Sequence, residues 1–273
     1  MAINLASKYS KKVAEKFYTE SVILGKTSRE YDWDGVKSIN VHTIVTQAPG
    51  NYTRTGASRY GTPSEVQDTM QTMEITQDKS VALTVDKGNN TQQNMIKNAG
   101  KVMALEVREQ FVPMMDKYAL DVWATNAGTT LTAGALTKAN IVEKVAEGVT
   151  ALVNAETTID DAYCYIGASN FGKLIASPEF LGIDKLGEKA LEKGVLGHVR
   201  GMKIVQVPDS YLPSGVNFII AKASSVLAPT QIKDMKIHED APGISGALLE
   251  VRWLFDAFVL TARNKGVVVQ KAA

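Results

Sequence analysis

An α+β fold is the class this sequence predicts, and three observations carry it. Helical and strand patterns come in separate runs instead of regular alternation. A long strand-like hairpin with a polar tip begins at residue 36 and is followed by one long helical stretch to about residue 124. The chain then closes on a strand-rich run, "ALLEVRWLFDAFVLTARNKGVVV".

The elements follow in order. Leu5, Tyr9, Val13 and Phe17 recur every four residues and share one helical face, with Lys8, Lys12 and Lys16 on an adjacent stripe. Two readings stand for this opening: a docked helix with solvated lysines, or an arm that binds a neighbouring subunit. From Val36 to Val45 the sequence alternates, with Ile39, Val41, Thr43 and Val45 on one face. A second alternating stretch returns from Thr69 through Met73, Ile75, Val81 and Leu83 to Val85, and is read as one long strand. Between them "APGNYTRTGASRYGTPSEVQD" has almost nothing aliphatic to bury. Two strands alone are marginally stable in water, so the ribbon is expected to lie on another molecule.

Gly88-Asn89-Asn90 predicts a turn, and a helix is expected from about Thr91 to Trp123. Pro113 removes the hydrogen bond to the Glu109 carbonyl, which predicts a kink or break there. Ile141, Val145, Val149 and Leu152 mark the buried face of a further helix. "AYCYIG", "GMKIVQVP" and "NFIIAKA" read as strands, the last two separated by a turn at Pro213-Ser214-Gly215. Ser177-Pro178-Glu179 reads as the start of a short helix, and Asn264-Lys265-Gly266 as the turn of a closing hairpin.

Composition narrows the function. The 273 residues suffice for one large domain or two medium ones, and a net charge of +1 argues against a protein built to grip nucleic acid. One cysteine, Cys164, excludes a disulfide framework within the chain and fits an intracellular folding environment. No signal-peptide core and no membrane-length apolar run is visible, so a soluble, non-secreted protein is expected.

The chemistry-bearing motifs are poor. Gly167 to Lys173 fits a phosphate-binding loop as far as its lysine, but Leu174 stands where a hydroxyl must hold the metal. A nucleotide-binding enzyme built on this loop is the weakest of the readings carried forward. His42, His198 and His238 have no second ligand at helical spacing. The sequence offers no catalytic, cofactor or metal site. Tyr52, Arg54, Arg59 and Tyr60 at the hairpin tip are instead of the types that dominate protein interfaces.

Three stretches together resemble one family. "GNYTRTGASRYGT", the run from Thr84 to Ala124 with Asp86-Lys87-Gly88 and Pro113…Asp116-Lys117-Tyr118, and "GVLGHVRGMKIVQVPDSYLP" with Gly197, Gly201 and Pro208 are similar to tailed-bacteriophage major capsid proteins of the Hong Kong 97 fold. The likeness extends over essentially the whole chain. It implies an N-terminal arm at 1–35, an extended loop at 36–86, a discontinuous peripheral domain at 87–134 and 229–273 around a spine helix, and an axial domain at 135–228. It also implies a homo-oligomer of pentamers and hexamers closing an icosahedral shell around double-stranded DNA, with no membrane and no enzymatic role. Pro113 is then a candidate hinge between the two symmetry environments.

Some members of that family join subunits through a lysine on the extended loop, and here no lysine lies between Lys37 and Lys79. The shell is therefore expected to rest on noncovalent contacts. Only about 35 residues precede the hairpin, too few for a fused scaffolding domain of roughly 100 residues, so a separate scaffolding protein, or none, is expected besides a portal. An encapsulin, a compartment shell of the same fold around a protein cargo, stays open as the alternative. A tail or neck protein forming tubes or rings is a third reading.

Overall fold

A computed structural model describes residues 20–34, 36–92, 98–177, 195–199, 201–239 and 241–272. Leu5, Tyr9, Val13 and Phe17, and the helix expected at Pro178-Glu179, lie outside the described residues.

The hairpin begins as expected. Strand β1 (Ser38–Ile44) pairs antiparallel with β2 (Asp68–Glu74), from Ser38 opposite Glu74 to Ile44 opposite Asp68. Ile39, Val41 and Thr43 take the more buried face of β1, while Val45, expected to continue it, is exposed. The returning strand is not continuous. It stops at Glu74 and restarts as β3 (Gln77–Asp86), which leaves β1 and pairs with β11 (Gly246–Phe255). The cause is Asp256, whose Oδ2 accepts from both the Thr76 amide (2.8 Å) and the Thr76 hydroxyl (2.9 Å). A backbone donor turned onto a side chain is lost to the ladder.

Gly88-Asn89-Asn90 is not a simple turn but part of helix α1 (Lys87–Gln92), started by Asp86 Oδ1 accepting from the Asn89 amide at 2.8 Å. Helix α2 (Ala99–Glu106) begins at Asn98, whose Oδ1 accepts from the Lys101 amide. It runs through a π turn at Val107–Phe111 directly into α3 (Val112–Thr125). Pro113 therefore does not break the helix. The π turn just before it sets the Val112 amide on the Val107 carbonyl, and this wider turn accommodates a residue that has no N–H and a ring that crowds the preceding turn.

Strands β4 (Thr129–Leu131), β5 (Ala162–Gly167), β6 (Val195–Val199), β7 (Met202–Val207), β8 (Val216–Lys222) and β13 (Val267–Lys271) form one mixed sheet in the order β4-β13-β8-β5-β7-β6. Helices α4 (Ile141–Asn154) and α5 (Ala168–Ile175) cover one face, packing Ile141, Val145, Val149, Leu152 and Leu174 on Cys164, Ile166, Ile220 and Val268. Leu120 and Trp123 of α3 cover the other, on Tyr165, Ile219, Val267 and Val269. Burial on both faces explains why these strands read as uninterrupted apolar runs.

The closing hairpin expected at Asn264-Lys265-Gly266 does not form. That segment lies in a 3-10 helix (Thr261–Gly266), and β13 crosses to the six-stranded sheet, parallel to β4 and antiparallel to β8. Three consecutive buried valines need a slot covered on both sides, which the interior position between β4 and β8 supplies. A second sheet, in the order β10-β11-β3 with β10 at Thr230–His238, lays Val85, Leu249, Val251, Trp253 and Phe255 against Met103 and Phe111 of the spine helix.

Candidate functional site

The hairpin arm has a fixed root and an exposed shaft and tip. At the root, Met73 and Ile75 are buried with Trp33, Leu227 and Leu260, and Trp33 stacks flat on Phe258 with ring centres 5.3 Å apart. The Gln71 amide group is held at both ends by backbone, donating to the Val259 carbonyl (3.0 Å) and accepting from the Thr261 amide (2.7 Å). Buried Asp256 joins the root to the spine: beside its Thr76 bonds, Oδ1 accepts from the Tyr118 hydroxyl at 2.8 Å. Burial, reinforced by that carboxylate, pushes the Tyr118 phenol up to about 12.

Beyond the root the shaft leaves apolar side chains in the open. Ile44, Val45, Val66 (72% exposed) and Met70 have no cover among the described residues, and a cleft of about 520 Å³ lies between Ile44–Gln47 and Ser64–Gln67. Sequence reasoning missed this feature, because an isolated Val66 in a polar loop carries no periodic signal.

At the tip the structure brings together three of the four expected interface residues. Tyr52 and Tyr60 meet edge to face, with centroids 5.0 Å apart, and the Thr53 amide donates to the Arg59 carbonyl at 3.1 Å. Arg59 Nε in turn donates to the Gly56 carbonyl, where Gly56 turns the chain with φ of +88°. Tyr60 is 93% exposed. Arg54 is exposed in the same turn and joins none of these bonds. The tip is thus a small self-braced knot that, among the described residues, packs on no other part of the chain.

A second anchor holds the segment that follows residues 1–19. Asp116 of α3, 1% exposed, accepts from the Ser21 hydroxyl (2.8 Å) and the Val22 amide (2.9 Å), while Val22 and Ile23 sink into the core. Lys26 Nζ donates to the Val22 carbonyl beside it. Burial outweighs these bonds and raises the Asp116 carboxyl to about 6; it likewise lowers Lys26. No sequence signal singled out Asp116 for this role.

The phosphate-loop candidate has another use. Gly167 does sit between β5 and α5, but the Ser169 amide (3.1 Å) and hydroxyl both donate to the Asp209 carboxylate, which takes the place an anion would need. Lys173 is turned to Asn170, and Leu174 is buried. Cys164 is enclosed, its thiol pushed up to about 12 by burial. Among the described residues no group of three or more metal-binding side chains converges, and no helix is long and apolar enough to cross a membrane.

No protein-family model matches the chain, and no curated protein does either. Solved structures do. A chain from a structure of Mycobacterium phage Che8 is similar over 98% of this chain and 98% of that one, with a TM-score of 0.80 at 20% identity. A chain from the capsid structure of Cyanophage P-SCSP1u matches over 99% and 93%, with a TM-score of 0.78 at 13% identity. One from the asymmetric unit of the bacteriophage PhiM1 mature capsid matches over 98% and 92%, with a TM-score of 0.75 at 12% identity. The chain therefore has the mixed helix-and-sheet fold found in phage capsid structures, over essentially its full length.

Proposed function

We propose that the chain is the major capsid protein of a tailed phage. Copies assemble as pentamers and hexamers into an icosahedral shell that encloses double-stranded DNA. The observation that carries this reading is the chain-long likeness to subunits of phage capsids, at TM-scores of 0.78 and 0.75 for those named as capsid structures.

The arm supports it independently. Its root is locked to the body while Ile44, Val66, Met70 and Tyr60 stay uncovered among the described residues, an exposed apolar surface of the kind that another molecule buries. In the shell, Tyr52, Arg54, Arg59 and Tyr60 contact a neighbouring copy, and so does the face of Leu5, Tyr9, Val13 and Phe17. Repetition of such contacts around closed symmetry turns many weak interfaces into a stable wall. A net charge of +1 suits a wall that surrounds DNA without gripping it in a sequence-specific way.

The domain reading goes with this proposal: arm at 1–35, extended loop at 36–86, peripheral domain at 87–134 and 229–273, axial domain at 135–228. In this reading strand β13, from the second peripheral segment, pairs with β8 of the axial segment, so one sheet joins the two domains. The protein resides in the virion and assembles in the bacterial cytoplasm, with a separate scaffolding protein, or none, and a portal as further partners. It performs structural work and no catalysis.

Electron microscopy of particles made in their native context, before and after nuclease treatment, tests the reading. Closed icosahedral shells holding nuclease-protected DNA are expected. Shells filled with a protein cargo would replace the reading with an encapsulin, tubes or rings with a tail or neck protein, and a persistent monomer would overturn it.

A further inference from the structure

Strand β10 is the outer strand of the three-stranded sheet, and its free edge carries an unusual pattern. Among the described residues the chain covers only its start, where Gln231 Nε2 donates to the carbonyls of Trp33 and Val36. From Lys233 to His238, no backbone hydrogen bond among the described residues reaches β10 from the side away from β11. On the spine side of the sheet, Met235 and Ile237 stand opposite buried Val251 and Leu249, yet are 48% and 42% exposed. The apolar face thus runs on past the helix that covers it. On the other side, Asp234 and Lys236 alternate with them and pair with each other at 2.9 Å.

We infer that β10 pairs antiparallel with β10 of a second copy about a two-fold axis at Met235, joining two three-stranded sheets into one of six strands. Charge selects this register. Residues directly opposite in an antiparallel pair share a face, so a two-fold axis normal to the sheet must pass through a residue. An axis at Lys233 or Lys236 sets two lysines against each other, and one at Asp234 sets two aspartates. An axis at His238 sets two imidazoles against each other, and one at Ile237 sets Lys236 against His238 and Met235 against the Glu239 carboxylate, so only an axis at Met235 places opposite charges beside it. It sets Asp234 of each copy against Lys236 of the other, Met235 against Met235, and Ile237 against the aliphatic stem of Lys233. The pairing satisfies the open backbone edge and covers both exposed apolar side chains. Edge strands left open in this way are templates for further strands, and a closed two-fold contact ends the addition after one.

The test is oxidative cross-linking of the full chain with copper phenanthroline. In Met235→Cys the two introduced thiols face each other with Cβ atoms about 5 Å apart, within reach of a disulfide after a small shift. In Lys233→Cys they are offset by four positions, roughly 13 Å along the strand, and beyond reach. The native Cys164 is enclosed and adds no background. Met235→Cys is expected to give at least about tenfold more covalent dimer than Lys233→Cys. Adding Asp234→Lys is expected to abolish the dimer, and adding Lys236→Asp as well to restore it. No dimer, equal dimer from both cysteine variants, or indifference to the charge exchange would overturn the pairing. Because the readout is one cross-link, a chain that builds intact shells without it would overturn this pairing and leave the shell reading standing.

Discussion

Asp116 ties the root of the N-terminal segment to the spine helix, and it gives the fold a pH dependence of unusual sign. Its carboxyl is raised to about 6 in the folded chain, chiefly by burial, against roughly 3.9 when unfolded. Between those values the folded state holds the extra proton, so this group's contribution is full below about pH 4 and falls as pH rises through 6. A shift of about two units corresponds to roughly 3 kcal/mol. At 1% exposure solvent screening removes little of it. Lys26, lowered by burial, and Tyr165 and Tyr211, both raised by burial, are the other titrating groups that sense this carboxylate. Asp116→Asn keeps the shape and removes the titration. Urea unfolding of the unassembled full chain, followed by tryptophan fluorescence from pH 4 to 7, is the assay. The unfolding free energy of the native chain minus that of the variant should fall by roughly 3 kcal/mol from about pH 4 to 7, with most of the change between pH 4 and 6. Parallel stability curves would refute the burial argument, and a rise of that signed difference with pH would reverse its sign.

Three further outcomes are expected. Tyr118→Phe removes the hydroxyl bonded to Asp256 but keeps the ring contact with Phe255, and should lower unfolding free energy by about 1.5–3 kcal/mol in the same assay. Gly246→Ala adds a Cβ against the Val85 carbonyl oxygen at φ of +143°, which should cost roughly 1–3 kcal/mol for the backbone conformation alone, seen as a fall in melting temperature. Pro113→Ala returns an N–H beside the π turn; if that turn is the hinge between fivefold and sixfold environments, particle size or uniformity changes, and unchanged particles would remove Pro113 from that role.

Much of this was legible in the residues because periodicity reports burial directly. Ile141, Val145, Val149 and Leu152 are buried as their spacing required, and "AYCYIG" lies in the sheet its apolar run demanded. What escaped depends on partners distant in the chain. The break at Thr76 is made by Asp256, 180 residues away, and no local pattern announces it. The valines of β13 require burial on both faces but do not state which strands supply it, and the local pattern by itself predicts a hairpin with the preceding strand. Asp116 looks like any helix carboxylate until Ser21 and Val22 are folded onto it. At the arm, Tyr52, Arg59 and Tyr60 were legible as a cluster because they lie close in sequence. The open shaft of Ile44, Val66 and Met70 was not, because exposure appears only once the strands are paired.

In the proposed shell the arm completes its burial on another copy of the chain, and a cryo-electron microscopy reconstruction of assembled particles shows whether it does. Closed shells are expected in which the knot of Tyr52 and Tyr60, and the shaft at Ile44, Val66 and Met70, lie in contact with a neighbouring subunit. Closed shells whose arms fold back on their own body, or project into solvent untouched, would contradict it.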